Sequence, residues 1–310
     1  MVNPQDIITA AAYNALQTRV RTVLGTATGD SGYGQDVVSR PVNPTDVVTA
    51  ENMRVLNADL NTVSTHQFGY GAGLNTVNPQ DKIGSNGSGG DTTKGFNDYE
   101  NKIASLETTR FNLAATESII NQGTENTRIT PWSTQVVHEF YIEFPGYTTA
   151  GGKFVGPQNH RRVFFNAGGK IRGEGNISSG TSAADALMAS FLSSSGFWEF
   201  AAHSTFAYKG TPQNIGFHEL TNEYQEIYRN VSAGYTYADN SYLVQARLDG
   251  NDKVYFKITI YEGSTIPSSI TGTTTSFITY VRPSGLSGVN VPFVGDTDSG
   301  TSYFTTVQTL

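Results

Sequence analysis

The chain has 310 residues with 27 acidic and 20 basic side chains, a net charge of −7 and only 15% charged residues, against about 25% in an average domain. A hydrophobic content of 37% with 17 Phe and 16 Tyr provides for a core and excludes charge-driven disorder. The basic residues are too dispersed for a phosphate-neutralising nucleic-acid footprint, the lack of cysteine removes disulfides, thiolate nucleophiles and Cys-based zinc sites, and no apolar run approaches the roughly 20 residues of a membrane span.

The opening Met1-Val2-Asn3-Pro4-Gln5-Asp6 has neither the basic nor the apolar stretch of a secretory signal, so a soluble product made in a cytoplasm is expected. Its surface would be kept wet by hydroxyls and amides more than by charge. An internal repeat follows: residues 2–10, Val-Asn-Pro-Gln-Asp-Ile-Ile-Thr-Ala, return at 42–50 as Val-Asn-Pro-Thr-Asp-Val-Val-Thr-Ala. Each copy runs into a helical pattern. Tyr13, Leu16, Val20 and Val23 in the first correspond to Met53, Leu56, Leu60 and Val63 in the second, and the 3-4-3 spacing puts each set on one stripe. Thr9 and Thr49 stand where N-caps are needed. A third opening, Val77-Asn-Pro-Gln-Asp81, is separated by a Gly-rich insert at 84–95 from Phe96, Tyr99, Ile103 and Leu106, which restore the spacing. Helices this short are marginal alone and must bury their stripes. They do so either as a small bundle within one chain or as a docking module meeting copies and partners in an assembly, and both readings stand at this point.

From about Arg128 the period changes to two. Val136, His138, Phe140, Ile142 and Phe144 alternate with Gln135, Val137, Glu139, Tyr141 and Glu143, Val254, Phe256, Ile258 and Ile260 alternate with Tyr255, Lys257, Thr259 and Tyr261, and Asp249-Gly-Asn-Asp252 marks a hairpin from Tyr242–Leu248 into the second run. Further strands are predicted at 162–165, 170–173, 197–208, 223–229, 274–281 and 302–308. One helix interrupts them, opened by Ser182-Ala-Ala-Asp185 with capping-box spacing and closed by Ser195-Gly196. The expected fold is mainly β with a small helical part: a helical repeat and attachment module over 1–125, then an antiparallel β-sandwich over 126–310 with one inserted helix.

The chemistry-bearing residues form no motif. Histidines 66, 138, 160, 203 and 218 have no metal-ligand spacing, and His138 alternates with Phe140 and Ile142 as an interior histidine would. His160-Arg161-Arg162 is the densest basic spot and is read as solvent-facing beside a strand. Asp296-Thr-Asp-Ser-Gly300 lacks the further carboxylates of a calcium loop and reads as a solvated turn. Gly173-Glu-Gly-Asn-Ile-Ser178 fails the dinucleotide fingerprint at its third glycine. Glu139 and Glu143 share the outer face of a strand without forming a defined catalytic pair. No catalytic residue, cofactor or metal site is assigned. Trp132, Trp198, Tyr235, Tyr237, Tyr242, Tyr255 and Tyr261 have two readings, a sugar-stacking platform on one face or core and subunit-contact filling.

The segment His160-Arg-Arg-Val-Phe-Phe-Asn-Ala-Gly-Gly-Lys-Ile-Arg172 resembles virion structural proteins of contractile-tailed phages, especially those infecting marine cyanobacteria. In that family a basic pair and Phe-Phe-Asn-Ala-Gly-Gly-x-Ile-Arg precede a Ser/Gly-rich stretch and a short helix, here Asn176 through Ser195. Asn214–Thr221, Gly29-Asp-Ser-Gly-Tyr-Gly34 and Thr65-His-Gln67 are also similar to these proteins. Gly173 departs from the family, which has a strand residue such as Phe there, so the strand after the segment is expected to be short. The resemblance implies a structural role in the particle without enzymatic activity, in the neck, tail, baseplate, fibre or capsid decoration. The partners expected are further copies of the chain, as a trimer or higher ring, and other virion structural proteins. Low surface charge suits that role, because burying unpaired charge between subunits is costly. The alternatives are a fibre component that binds a host-surface glycan and, further off, a polysaccharide-degrading enzyme.

Overall fold

A computed structural model describes residues 8–26, 32–79, 95–120, 123–232, 239–250, 252–263, 268–291 and the backbone of 304–309. Residues 2–6 of the first repeat opening, the 84–90 glycines, Tyr235, Tyr237 and the 296–300 turn lie outside these. In chain order the helices are α1 (Ala10–Leu24), α2 (Ala50–Phe68), α3 (Phe96–Thr108), α4 (Pro157–Asn166) and α5 (Ala183–Ser195). The strands are β1 (Ser118–Ile120), β2 (Thr124–Arg128), β3 (Gln135–Glu143), β4 (Tyr147–Thr148), β5 (Phe154–Val155), β6 (Lys170–Ser178), β7 (Trp198–Phe200), β8 (Thr205–Ala207), β9 (Thr211–Pro212), β10 (Gln225–Val231), β11 (Ser241–Asp249), β12 (Lys253–Tyr261), β13 (Thr273–Pro283) and β14 (Phe304–Thr309). This is a mainly β chain with helices at its N-terminus and a sheet-rich body. Its two compact units interleave in sequence where a single cut at 125/126 was expected: one holds Met1–Ile119, Gly146–Gly168 and Arg282–Pro292, the other Ile120–Pro145, Gly169–Val281 and Phe293–Leu310.

In the first unit the repeat sets the helix starts. The Thr9 hydroxyl accepts from Ala12 N at 3.2 Å, and Thr49 forms a full capping box with Asn52. The three apolar stripes then meet. Tyr13, Leu16, Val20, Val23, Met53, Leu56, Leu60, Val63, Phe96, Tyr99, Ile103 and Leu106 are all at most 2% exposed, each of the larger ones contributing about 1.5–3 kcal/mol of transfer free energy. Polar contacts cross-link the bundle. Arg19 of α1 donates through Nε and Nη2 to Glu107 of α3 at 3.0 and 2.7 Å, and Asp59 of α2 accepts from Val38 N and Ser39 N at 3.1 and 2.8 Å. Gln67 Nε2 donates to Leu106 O and to the Tyr33 hydroxyl, and His66 Nε2 donates to Ala167 O at 2.8 Å.

The strand expected at 162–165 is instead part of helix α4. Pro157 at its first turn has the φ a helix start requires, and this outweighs the β-propensity of Val163-Phe164-Phe165. Winding the segment into a helix also buries His160 and Arg161, at 0% and 4% exposure, where a solvent-facing basic spot was expected. Just past the helix end and its cap Ala167 stands Gly168, whose φ of +83° and 2.5 Å approach of a notional Cβ to Leu113 admit no side chain.

The second unit is a sandwich. In one sheet β13 pairs antiparallel with β2 and β6, β6 with β7 and β7 with β8. The other runs β14-β3-β12-β11-β10-β9. The inner faces interdigitate: Trp198 stacks on Phe256 with centroids 5.6 Å apart, Phe200 meets the same ring edge-on, and Trp198 Nε1 donates to the Tyr242 hydroxyl at 3.1 Å. Strand β6 runs nine residues and continues through Gly173, where a short strand was expected. The reason is contact: a Cβ at Gly173 would lie 2.3 Å from the Trp198 indole, so the glycine makes room for the largest side chain of the core. Helix α5 packs on β6 through Leu192. Its capping box is present, and Asp185 additionally accepts from Thr271 N, Thr271 Oγ1 and Gly272 N at 2.7–2.9 Å.

Candidate functional site

The twelve stripe residues are used up in the helical bundle of one chain, so they offer no surface to a second copy. The aromatic residues read as a possible platform separate. Trp132, Trp198 and Tyr242 are buried, whereas Tyr255 and Tyr261 lie on the outer face of the β3–β12–β11–β10 sheet. The parity of the strands decides this, since Val254, Phe256, Ile258 and Ile260 take the inner face of β12.

That outer face is built in cross-strand rows. Arg247, Tyr255 and Tyr141 stand opposite one another, as do Gln245, Lys257 and Glu139. Arg247 lies 4.1 Å from the Tyr255 centroid and 5.1 Å from that of Tyr224, Lys257 Nζ lies 4.3 Å from Tyr224, and Lys253 Nζ lies 5.1 Å from Tyr141. The Tyr224 hydroxyl donates to Glu139 at 3.3 Å, and burial pushes its pKa up to about 12. Positive side chains cover these rings, so the ladder is a self-satisfied surface.

Toward the other end of the same strands the face becomes concave. Ser241 stands between Val231 and Tyr261, and Tyr261 faces Gln135; in the next row Arg229, Leu243 and Thr259 align. The short Ser241 and Thr259 side chains leave an open depression of about 390 Å³ walled by the longer ones and lined also by Asp239. Arg229 is engaged by Glu226 through Nε and Nη2. Among the described residues no hydrogen bond joins the side chains of Gln135, Asp239, Ser241 or Thr259 to another residue, and no cation or second ring covers Tyr261, which is 38% exposed.

A second accessible feature lies on the other sheet. Phe206 and Tyr208 are 56% and 71% exposed; Phe206 sits 6.3 Å from Phe197, and Arg172 covers Phe197 at 4.4 Å. Glu199 accepts from Arg172 Nη2 at 2.6 Å and from Lys170 Nζ at 3.2 Å. Partial burial works to raise the Glu199 pKa, but these two cations hold it below the usual range. The result is an aromatic centre with an ion-paired rim.

Of the reactive residue types, His138 is buried as its alternation predicted, with Nδ1 2.9 Å from Ser276 Oγ, and the pair faces the closed interior between the sheets. His203 Nδ1 lies 2.6 Å from Glu219 Oε1, and its ring stacks on His218 at 4.8 Å. The stacked rings do not converge with Glu219 on a common point: among the described residues no group of three His, Asp or Glu side chains is arranged to hold a metal ion. Among the described residues no helix is long and apolar enough to cross a membrane.

Fold and surface define the class only as a mainly β chain with a small helical part and a sandwich body. No protein-family model matches the chain, and neither a curated protein nor a solved structure matches it.

Proposed function

We propose that the chain is a structural component of a tailed-phage virion, in the neck, tail, baseplate or fibre, acting by homo-oligomeric assembly and attachment to other particle proteins. The observation that carries this reading is the Phe206–Tyr208–Phe197 cluster with its Arg172–Glu199–Lys170 rim. An exposed aromatic patch flanked on its β6 side by paired charges has features of a protein–protein contact, and pairing those charges lowers the desolvation cost of covering them. The resemblance of residues 160–172 supports it in a complementary way. His160, Phe164, Phe165 and Asn166 are nearly inaccessible, and Ile171 is fully buried, so the residues that carry the resemblance serve the fold. Quantitative proteomics of purified particles from the genome that encodes this chain tests the role. The chain is expected in the particles at a copy number that is a multiple of three or of a higher ring. Its absence from particles, with all of it free in the lysate, would sink the proposal.

A further inference from the structure

We propose that the depression between Tyr261, Asp239 and Gln135 on the outer face of the second sheet is a binding site for a neutral pyranose sugar unit. This goes beyond the virion role and stands or falls separately from it. Its volume of about 390 Å³ is within the roughly 300–1,000 Å³ of small-ligand sites. Its walls offer what a pyranose presents. One flank of such a ring is a patch of C–H groups, which suits the partly exposed Tyr261 ring and the apolar side chains of Val231 and Leu243. Its edge is a row of hydroxyls that both donate and accept, which suits the Asp239 carboxylate as acceptor, the Gln135 amide as donor and acceptor, and the Ser241 and Thr259 hydroxyls as either. Among the described residues no hydrogen bond joins these polar side chains to another residue, whereas the cations and rings of the neighbouring ladder already satisfy each other.

Charge disfavours an anionic sugar. Among the described residues that line the depression the one cation, Arg229, is tied to Glu226 by hydrogen bonds of 2.7–3.2 Å, and Asp239 repels a carboxylate or sulfate on the ligand. The rim is held in place by Asn240, itself 2% exposed, whose Oδ1 accepts from Gly263 N at 3.0 Å and whose carbonyl accepts from Ser232 N at 2.8 Å. The site therefore sits on strands β10, β11, β12 and β3 with a pinned edge, which limits the ordering that binding must impose.

Titration of the full chain with the methyl glycosides of glucose, galactose and mannose and with N-acetylglucosamine, followed by calorimetry and saturation-transfer NMR, tests this, with glucuronate and glucosamine as charged probes. At least one neutral sugar is expected to bind with a Kd of about 1 mM or tighter. Tyr261→Ala and Asp239→Asn should each weaken it by about tenfold or more, while Tyr141→Ala, on the same face but in the ladder, should leave it unchanged. Tyr261 and Asp239 sit at the surface, and an unaltered circular dichroism spectrum checks that their variants fold. The proposal is overturned if none of the neutral sugars binds, if only glucuronate or only glucosamine binds, or if Tyr141→Ala abolishes binding and Tyr261→Ala does not.

Discussion

His138 Nδ1 and the Ser276 hydroxyl meet at 2.9 Å in the interior of the sandwich, one contributed by each sheet. Burial, reinforced by the charge of Arg128, lowers the His138 pKa to about 4, and burial lowers that of His66 in the helical unit to about 4 as well. Each folded unit therefore binds a proton more weakly than its unfolded chain does. The stabilisation from keeping each histidine neutral is complete above pH 6.5, is lost as pH falls towards 4 and levels off below that, at about 3 kcal/mol per site. Urea midpoints should drop between pH 7.5 and 4.5, and His138→Phe should flatten the dependence of the sandwich transition. A pH slope unchanged by that substitution would refute the assignment.

Asp185 makes a second, separable prediction. Partial burial opposes its ionisation, but hydrogen bonds from Ser182, Gly272 and Thr271 hold the carboxyl well below the usual range. Its contribution is thus present above the ordinary carboxylate pKa and is lost only at more acid pH than the histidine effect. Asp185→Asn would turn amide hydrogens towards backbone donors and should cost about 3 kcal/mol, whereas Ser182→Ala removes the cap and one hydroxyl donor to the carboxylate, leaves the bonds from Thr271 and Gly272 in place, and should cost about 1 kcal/mol. Equal losses in urea denaturation would mean that the bonds to Thr271 and Gly272 contribute nothing.

Gly173 and Gly175 lie two residues apart on β6 and should behave oppositely. A Cβ at Gly173 would sit 2.3 Å from Trp198, which is fully buried and bonded to Tyr242, so Gly173→Ala should destabilise by about 2–3 kcal/mol. At Gly175 the nearest atoms are 3.5 Å away, ordinary contact, and Gly175→Ala should change stability by less than about 1 kcal/mol. Thermal unfolding of the two variants decides the matter, and equal effects would contradict the packing described.

Much of this architecture can be read from residue spacing. The 3-4-3 stripes, the Thr9 and Thr49 caps and the alternation around Phe140 and Phe256 each report one buried face, and the structure buries those faces. The strand-like composition of Val163-Phe164-Phe165 masks helix α4, although Pro157 and Gly168 bracket it with helix start and stop signals. The interleaving of the two units has no local signature, since it depends on contacts distant in sequence. The outer-face depression was half legible: the parity of β12 puts Tyr255 and Tyr261 outside and that of β11 puts Tyr242 inside. The concavity itself arises from short side chains at 241 and 259 meeting across strands, which requires the register.

Assembly through the Phe206–Tyr208 surface is the claim on which the functional reading rests, and sedimentation equilibrium of the purified full chain tests it most directly. At micromolar concentration a trimer or larger ring is expected, and the double variant Phe206→Lys with Tyr208→Lys, both at exposed positions, should sediment as a folded monomer. A wild-type chain that remains monomeric to the highest concentration reached, or an oligomer that the double variant leaves intact, would contradict the account.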